Sequence, residues 1–338
     1  AVMQAVGVMV GDQNGNFNPD KQVTRAEMAV VMSNLLGLKV EDFKNASIPF
    51  TDVPEWARPY VAACYAAGVT SGTSATTYGS NDPVTAVQAS LMMMKALGYF
   101  QYSSDFGSDW QIATIKQASS IDLFKDINTG ANDALSRNNV AQLALNTLEA
   151  TMVQPTKNGS TIIVGDITIT GDVEYKDITS SADYAKAMAD KVLDDGKYAV
   201  QLGEKLFDGS LKIDTAVTSD AFARPARTWN YKGEQVVVAA DEADYILSGE
   251  VTGKELFNTV GETLADSNKY TWTINLDGTT GSTFSQSNVS KSNDNALLGT
   301  GNGTVMEIFV TKEYVSSSEK GSVVVSIVNT YAGQISSV

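Results

Sequence analysis

The 338-residue sequence contains no histidine and only one cysteine, and each absence excludes whole classes of chemistry. Without histidine there is no Ser-His-Asp or Cys-His nucleophilic centre, no histidine general base, and no histidine-ligated zinc or haem. The single thiol, Cys64, cannot form an intrachain disulfide, and its apolar neighbours predict a buried, inert side chain. What remains is carboxylate, Lys, Tyr or Arg chemistry, or no catalysis, and we expect no metal and no cofactor.

Positive charge is also scarce. The 24 Lys and Arg residues face 39 Asp and Glu residues, so the net charge is −15. A field of that sign repels nucleic acids and anionic membranes, and we expect neither as a partner. Long apolar runs are missing as well, because no stretch approaches the roughly 18 residues that a membrane helix requires. The chain is long enough for two or three domains of ordinary size.

What the sequence does contain is internal repetition. Residues 7–11 match residues 68–72 at a shift of 61 positions, and the same shift carries residues 23–24 onto residues 84–85. A third, weaker copy places residues 135–136 at the same landmark. Each copy has the pattern of a helix, a loop and a second helix. Because one such unit cannot bury its own apolar face, we expect the three to pack together.

The second helix of each unit has a clear N-terminal signal. In the first unit, Thr24 precedes the apolar pattern and Glu27 follows three residues later, which predicts a capping box. The second unit repeats this pattern, and Ser136 is the predicted cap in the third. For the first helix of the second unit, we expect Pro54 at its start and Gly68 just after its end.

The order of these motifs resembles the S-layer homology (SLH) module. The residues that carry the resemblance are Phe-x-Asp-Val at 50–53, then Trp56, Gly-Val-x-x-Gly at 68–72, and Asn-Pro-Asp-Lys-Gln-Val-Thr-Arg-Ala-Glu at 18–27. It covers residues 1 to about 152, strongly in the first copy and weakly in the third. The implied modules are residues 1–44, 45–101 and 102–154. The first lacks its opening part, so we expect the natural protein to extend upstream, and a continuation downstream is expected too.

The resemblance implies an all-α pseudo-trimer whose inter-module grooves hold a pyruvylated secondary wall polysaccharide attached to peptidoglycan. A pyruvyl ketal carries a carboxylate, and an arginine near a helix N-terminus suits a carboxylate in both geometry and dipole. Arg25 follows the cap Thr24, and Arg137 follows the cap Ser136, whereas the second module has Ala86 at this place. At most two of three grooves therefore have the arginine. The alternative for each arginine is a solvated or ion-paired residue at a helix start.

Two tryptophans complete the candidate polymer-binding set. Trp56 and Trp110 each precede or open a helix, where an aromatic ring can stack on a sugar or can pack into the core. The loop of residues 12–18 has oxygen side chains at alternate positions, as a calcium loop would. It has Phe17 where the sixth position needs Gly, and Val23 where the twelfth needs Glu, so we interpret it as a turn rich in Asn and Gly.

Residues 155–338 have a different character. Composition changes near residues 154–160, and short β-branched runs replace the helical spacing. The predicted class is a β-rich α+β region, with a division into two subdomains near residue 266 as an alternative. The predicted strands are residues 161–164, 166–170, 198–202, 211–217, 235–239, 270–276, 305–311 and 323–330. The predicted helices are residues 181–193 and 253–260, and residues 278–303 are expected to form a long exposed loop.

Together these features predict a non-enzymatic protein at the extracellular surface of a Firmicutes-type cell wall. The modules are expected to bind wall polymer non-covalently, and residues 155–338 to contribute to self-association in a surface lattice. A wall-anchored adhesin and a wall-anchored hydrolase remain open as alternatives. A hydrolase needs a pair of carboxylates, and the spacing singles out no pair among the available ones, which include Asp241, Glu242, Asp244, Glu250 and Glu255.

Overall fold

The computed structural model describes residues 1–12, 14–157, 161–164, 167–170, 173–188, 193, 195–214, 219–279, 281 and 283–331. The chain forms two compact units. The first comprises Ala1–Ile213 and Asn230–Val236, and the second comprises Asp214–Trp229 and Val237–Val338. The change in composition near residue 154 therefore lies inside the first unit, and residue 266 lies inside the second. The module borders read from the sequence stay predictions.

Seven of the helices that the described residues form lie in the first unit. They are α1 Val2–Ala5, α2 Arg25–Leu35, α3 Arg58–Ala66, α4 Ala86–Leu97, α5 Trp110–Ser120, α6 Arg137–Glu149 and α7 Leu202–Phe207. Short 3₁₀ turns lie at Val40–Phe43, Ser103–Phe106 and Asp183–Lys186. Among the described residues, no helix is both long and apolar enough to cross a membrane.

The predicted caps are present. The Thr24 hydroxyl accepts a hydrogen bond from the Glu27 N–H at 3.2 Å, and the Glu27 carboxylate accepts one from the Thr24 N–H at 2.9 Å. The second module repeats this capping box at α4, and the Ser136 hydroxyl caps α6. The prediction for Pro54 was wrong, because α3 begins at Arg58 and a different proline, Pro59, occupies its first turn. That position also tolerates a missing N–H.

The three segments that precede α2, α4 and α6 are joined in a closed ring of backbone hydrogen bonds. The N–H of Val84 donates to the carbonyl of Val23 at 2.8 Å, that of Leu135 donates to Val84 at 3.0 Å, and that of Val23 donates to Leu135 at 3.0 Å. The first N–H groups of the three helices also donate to loop carbonyls of a neighbouring repeat. Donors that a helix start cannot satisfy internally are thus used to hold the repeats together.

The apolar faces of these helices form a common interior. Side chains with almost no exposed surface include Met28, Met32, Met93 and Leu97. Cys64 is fully buried too, with its sulfur 3.3 Å from the Ser33 hydroxyl, and burial raises the pKa of its thiol to about 11. A thiol with that pKa stays protonated at neutral pH, and the burial of Cys64 is as predicted.

Described residues between 150 and 213 contact the helical repeats, although the composition of this segment differs. Strand β1 (Val153–Lys157) pairs antiparallel with β4 (Glu174–Asp177), and Tyr175 on β4 donates a 2.6 Å hydrogen bond to the carboxylate of Asp105. The Tyr175 hydroxyl also accepts from the N–H of Gln101 at 3.1 Å. Burial and the Asp105 carboxylate raise the pKa of Tyr175 above its ordinary range. These contacts explain why the composition change is not a boundary between compact units.

The remaining strands of this segment are short. They are β2 Thr161–Val164, β3 Ile167–Thr170, β5 Thr179–Ser180, β6 Tyr198–Ala199 and β7 Leu211–Asp214, and β2 pairs antiparallel with β3. The helix predicted over residues 181–193 appears only as the 3₁₀ turn Asp183–Lys186, and residues 189–192 of that prediction lie outside the described residues. The predicted strand over residues 198–202 ends at Ala199, where α7 soon follows.

Strands β8 (Ala226–Tyr231) and β9 (Glu234–Ala240) form a hairpin. Lys232 and Gly233 both have positive φ, 53° and 87°. This conformation is typical of the tight turns that match the twist of two antiparallel strands.

The second unit is built on a four-stranded mixed sheet. Its strands are β10 Tyr245–Ser248, β11 Tyr270–Leu276, β12 Thr304–Lys312 and β13 Gly321–Asn329, in the order β10-β12-β13-β11. Only the β11–β13 pair among them is parallel. Helix α8 (Gly253–Ala265) shares a core with the sheet, through Leu256, Met306 and Val325. Phe284 and Leu297 are buried in the same core, so the predicted exposed loop is partly packed.

Candidate functional site

Arg25, the first residue of α2, lies across the boundary between two repeats. Its Nε donates to the carbonyl of Tyr78 at 2.9 Å, and its Nη2 donates to the carbonyl of Ser71 at 2.8 Å. The guanidinium carbon lies 4.9 Å from the centre of the Tyr78 ring. Only 7% of Arg25 is exposed, and Tyr78 is fully buried. The guanidinium therefore ties α2 to the loop of the second module, and two of its three nitrogens are used for that purpose.

Arg137 repeats this arrangement at another boundary. Its Nε donates to the carbonyl of Phe17 at 2.7 Å, its Nη2 donates to that of Val10 at 2.6 Å, and the guanidinium lies 4.9 Å from the Phe17 ring centre. At the third boundary the helix begins with Ala86, and the aromatic position is Thr129. The arginine and its ring are present together at two boundaries and absent together at the third.

The loop that Arg25 contacts is fixed from its other side by Asp52. The Asp52 carboxylate accepts hydrogen bonds from the N–H groups of Tyr78 at 2.7 Å, Gly79 at 2.7 Å and Ser80 at 3.3 Å. Burial on its own would raise the pKa of Asp52, but these three donors outweigh it and hold the pKa below its ordinary range. The Asp52 carboxylate thus fixes the turn at residues 78–80.

Ser80, in the same loop, has a buried hydroxyl that no described residue hydrogen-bonds. The corresponding positions of the other two repeats are Pro19 and Ala131, which have no polar side-chain atom. Since a buried unsatisfied hydroxyl is destabilising, Ser80→Ala should raise the free energy of unfolding by about 1 kcal/mol. Urea unfolding followed by circular dichroism measures this change, and a less stable variant would show that the hydroxyl has a partner.

A cavity of about 510 Å³ opens beside this loop. Arg25 closes one part of it, the loop of residues 69–73 forms another, and α4 contributes Gln88 and Lys95. Trp110, at the start of α5, lies on the remaining side. Three repeats therefore supply the lining. None of the described residues that line the cavity is acidic, although the chain as a whole has a net charge of −15. The cavity combines positive charge with an accessible aromatic ring.

The structure brings together two of the six candidate residues. Arg25 and Trp110 line the cavity, whereas Trp56 lies before α3 and Arg137 lies at its own boundary with the first repeat. The hydroxyls of Thr24 and Ser136 are both used as helix caps. Trp56 is 55% exposed and Trp110 is 37% exposed, so neither is a core side chain. The lining residues that sequence reasoning missed include Gln88, Lys95 and Phe106.

Lys95 has the most unusual environment of the three. Its side chain is half-buried on α4, and burial lowers the pKa of its ammonium. Within the described part of the chain, no carboxylate forms an ion pair with it. The repeat alignment carried a signal that would have found this residue, because the corresponding positions of the other repeats are both asparagine.

A second cavity, of about 320 Å³, lies in the second unit between β10 and α8. Glu250 and Glu255, two of the carboxylates considered for a hydrolase, both line it. Glu255 is the capping-box residue of α8, and hydrogen bonds from the backbone N–H and the hydroxyl of Thr252 lower its pKa. A carboxylate held ionised in this way is a poor general acid. The described residues also contain no group of three acidic or thiol side chains that could hold a metal ion.

Comparison with known proteins finds one family. The S-layer homology domain model matches residues 4–29 and 49–85, which fall in the first two predicted modules. The chain is 26% identical over 166 residues to the middle cell wall protein of Brevibacillus brevis, covering 47% of this chain and 15% of that protein. It is 37% identical over 92 residues to the surface-layer 125 kDa protein of Lysinibacillus sphaericus, covering 27% and 8%.

An endoglucanase of Bacillus sp. strain KSM-635 is 30% identical over 94 residues, which is 28% of this chain and 10% of the enzyme. In all three comparisons the matched region is therefore a small part of the relative's length. Most of the relatives found are surface-layer or cell-surface proteins.

Proposed function

We propose that this chain is an S-layer homology surface protein of the Firmicutes type, located at the outside of the cell wall. Its modules hold it there by binding non-covalently to a secondary wall polysaccharide. The resemblance implies that the polymer carries pyruvyl ketals and is attached to peptidoglycan. The remainder of the chain contributes to self-association in a surface array. The wall polymer and other copies of the protein are thus its two partners.

The observation that carries this proposal is the composition of the 510 Å³ cavity. Its volume lies within the ~300–1,000 Å³ range of ordinary ligand clefts. A carbohydrate ligand needs a flat apolar surface for a sugar ring, and the exposed face of Trp110 supplies one. A negatively charged ligand needs local positive charge free of competing carboxylates, and Arg25 and Lys95 supply it. The local field therefore favours an anion that the whole molecule would repel.

The ring of hydrogen bonds among Val23, Val84 and Leu135 supports a pseudo-trimer of modules with three junctions that share the same backbone arrangement. The junctions differ in their side chains. The first has Arg25 and Trp110, and the repeat relation pairs Arg137 with Trp56 at another. The third has Ala86 in place of the arginine. We therefore place polymer binding mainly at the first junction, with the Arg137 junction as a second site.

The wall-anchored hydrolase is the second candidate, because one relative is an endoglucanase. That similarity covers only 28% of this chain, and most relatives found are surface-layer proteins, which favours the structural role. Electron microscopy distinguishes the two. Ordered two-dimensional arrays of purified protein support the array, whereas release of soluble sugar from wall material without arrays would support the hydrolase.

Polymer binding is tested by sedimentation of the full chain with purified cell-wall sacculi, before and after removal of the secondary polymer. We expect binding that disappears with the polymer. Trp110→Ala should weaken binding by at least about fivefold, because aromatic stacking on a ring contributes about 1 kcal/mol or more. Trp110 is partly exposed, so the unfolding temperature should stay within a few degrees of the wild type.

The matched control is Ile112→Ala, which removes an exposed apolar side chain from the same helix outside the cavity. Its binding should equal that of the wild type. If Trp110→Ala binds as tightly as the wild type, the tryptophan does not contact the polymer. If the wild-type protein still binds sacculi after the secondary polymer is removed, that polymer is not the ligand.

A further inference from the structure

The position of Lys95 differs from the two positions related to it by the repeat. It lies ten residues after the cap Thr85, and the residues ten after Thr24 and Ser136 are Asn34 and Asn146. The Asn34 amide donates to the carbonyl of Val8 at 3.3 Å. The Asn146 amide donates to the carbonyls of Leu123 and Lys125 at 3.0 and 2.7 Å. In two modules, this position therefore fastens the loop of its own module.

In the second module this position is occupied by Lys95, whose side chain does not bind a loop carbonyl. Lys95 forms neither a loop hydrogen bond nor an ion pair with any described residue, and it lines the 510 Å³ cavity. Its half-burial lowers the pKa of the ammonium, which means that the surroundings disfavour the charged form when the cavity is empty of an anion. An anion bound beside it would reverse that penalty.

Arg25 is less available to a ligand. Its Nε and Nη2 already donate to the carbonyls of Tyr78 and Ser71, its flat face lies over the Tyr78 ring, and it is 7% exposed. A ligand that pulled the guanidinium away would break both hydrogen bonds. The cation that can move toward a ligand without such a cost is Lys95, which has a flexible stem and free donors.

We propose that Lys95 is the principal anion-binding residue of this cavity, and that Arg25 is a positioning residue that shapes the loop beside it. The inference rests on the proposed function, in that the ligand is taken to be a sugar of the wall polymer. It adds that the negatively charged group of the sugar, a carboxylate or a phosphate, contacts the Lys95 ammonium while the sugar ring stacks on Trp110. The other two modules, with asparagine at this position, lack that contact.

The chain itself offers the informative substitution, Lys95→Asn, which installs the residue that the other modules use. We expect the full 338-residue variant to keep its circular dichroism spectrum and its unfolding temperature. Its binding to sacculi should be at least about tenfold weaker, because the negatively charged group of the ligand loses its cationic partner in a partly buried site. Binding should also depend less on salt, because one ionic contact is lost.

Two controls isolate the position. Lys116→Asn removes the same charge from an exposed site on α5, outside the cavity, and should bind as the wild type does. Lys95→Arg keeps the charge and should retain most of the binding. If Lys95→Asn binds sacculi as tightly as the wild type, the inference is overturned while the proposed function stands. If the wild type itself does not bind, it is the proposed function that fails.

The source of the negative charge is distinguished with the same assay. Mild acid hydrolysis removes pyruvyl ketals from sacculi and leaves phosphodiesters in place. Loss of wild-type binding after this treatment assigns the carboxylate as the group on Lys95. Retained binding that is still weakened by Lys95→Asn assigns a phosphate.

Discussion

Replacing Arg25 by alanine should lower the free energy of unfolding of the first unit by about 2–4 kcal/mol, because the buried carbonyl of Tyr78 and the partly buried carbonyl of Ser71 lose their charged donor at once. The cation–π contact with Tyr78 is lost as well. Urea or thermal unfolding followed at 222 nm measures the change, since most of the helices of the described chain belong to this unit.

The control for this prediction is the related residue at another boundary. Arg137 makes the same two hydrogen bonds but is only half-buried, so Arg137→Ala should cost less than Arg25→Ala. Arg25→Lys should not restore the wild-type value, since one ammonium lacks the planar fork that reaches two carbonyls. Unchanged stability in Arg25→Ala would show that the Arg25 side chain does not stabilise the contact between the first and second modules.

This result bears on how polymer binding is tested. Arg25→Ala with Arg137→Ala would weaken wall binding by disturbing two loops, even if neither guanidinium touches the polymer. Loss of binding in that double variant would therefore not identify the ligand contacts. Trp110 and Lys95 are better probes, because neither makes a hydrogen bond that holds the described modules together.

Tyr78→Ala should destabilise the first unit by about 3–5 kcal/mol, the range for removing a large ring from a core. The Tyr78 side chain is fully buried, packs against the Phe50 ring at 5.4 Å and underlies the Arg25 guanidinium. Differential scanning calorimetry and urea unfolding both report the loss. Because Arg25 and Tyr78 form one contact, the effects of Arg25→Ala and Tyr78→Ala should not add.

The first module provides the matched control for Tyr78. Phe17 occupies the corresponding place under Arg137, so a phenylalanine is compatible with this geometry. Tyr78→Phe loses only the weak hydroxyl contacts with Thr70 and the Arg25 carbonyl, at 3.2 and 3.4 Å, and should cost about 1 kcal/mol or less. If Tyr78→Phe lowers the free energy of unfolding as much as Tyr78→Ala does, the stabilisation comes from the hydroxyl rather than from the ring.

The third boundary shows how the repeats have diverged. It lacks the arginine at Ala86 and the ring at Thr129, yet the backbone hydrogen bond from Leu135 to Val84 is still present there. The closed set of backbone hydrogen bonds therefore does not depend on the arginine and its aromatic partner. The arginine and its aromatic partner behave as one unit. Loss of the ring alone would leave a buried charge without its aromatic contact, and loss of the arginine alone would leave the ring without its cation.

Much of the helical part was accessible from the sequence alone. The capping boxes of α2 and α4, the cap at Ser136 and the burial of Cys64 are as predicted. Such features depend on residues within a few positions of each other, and the amino-acid types at those positions carry the information. The register of the repeat also singled out Arg25 and Arg137, because each directly follows the cap of its helix.

The β-rich part was less accessible. Strands β1, β4, β5, β8 and β10 and helix α7 were not predicted. Short strands carry weak local signals, and their formation depends on a partner strand that the local sequence does not name. The packing of Tyr175 against Asp105, which joins residues 150–213 to the repeats, is a contact between residues 70 positions apart.

Residue types and their spacing along the chain are enough to establish that it has three related helical units, where their second helices begin, and that no histidine chemistry occurs. What the arginines do, and where the accessible positive charge lies, follows only from the tertiary contacts. Arg25 reaches carbonyls 46 and 53 positions away, and Arg137 reaches carbonyls 120 and 127 positions away. Helix caps are set by neighbours along the chain, whereas a guanidinium or an ammonium acquires its role from groups that only folding brings within hydrogen-bonding distance.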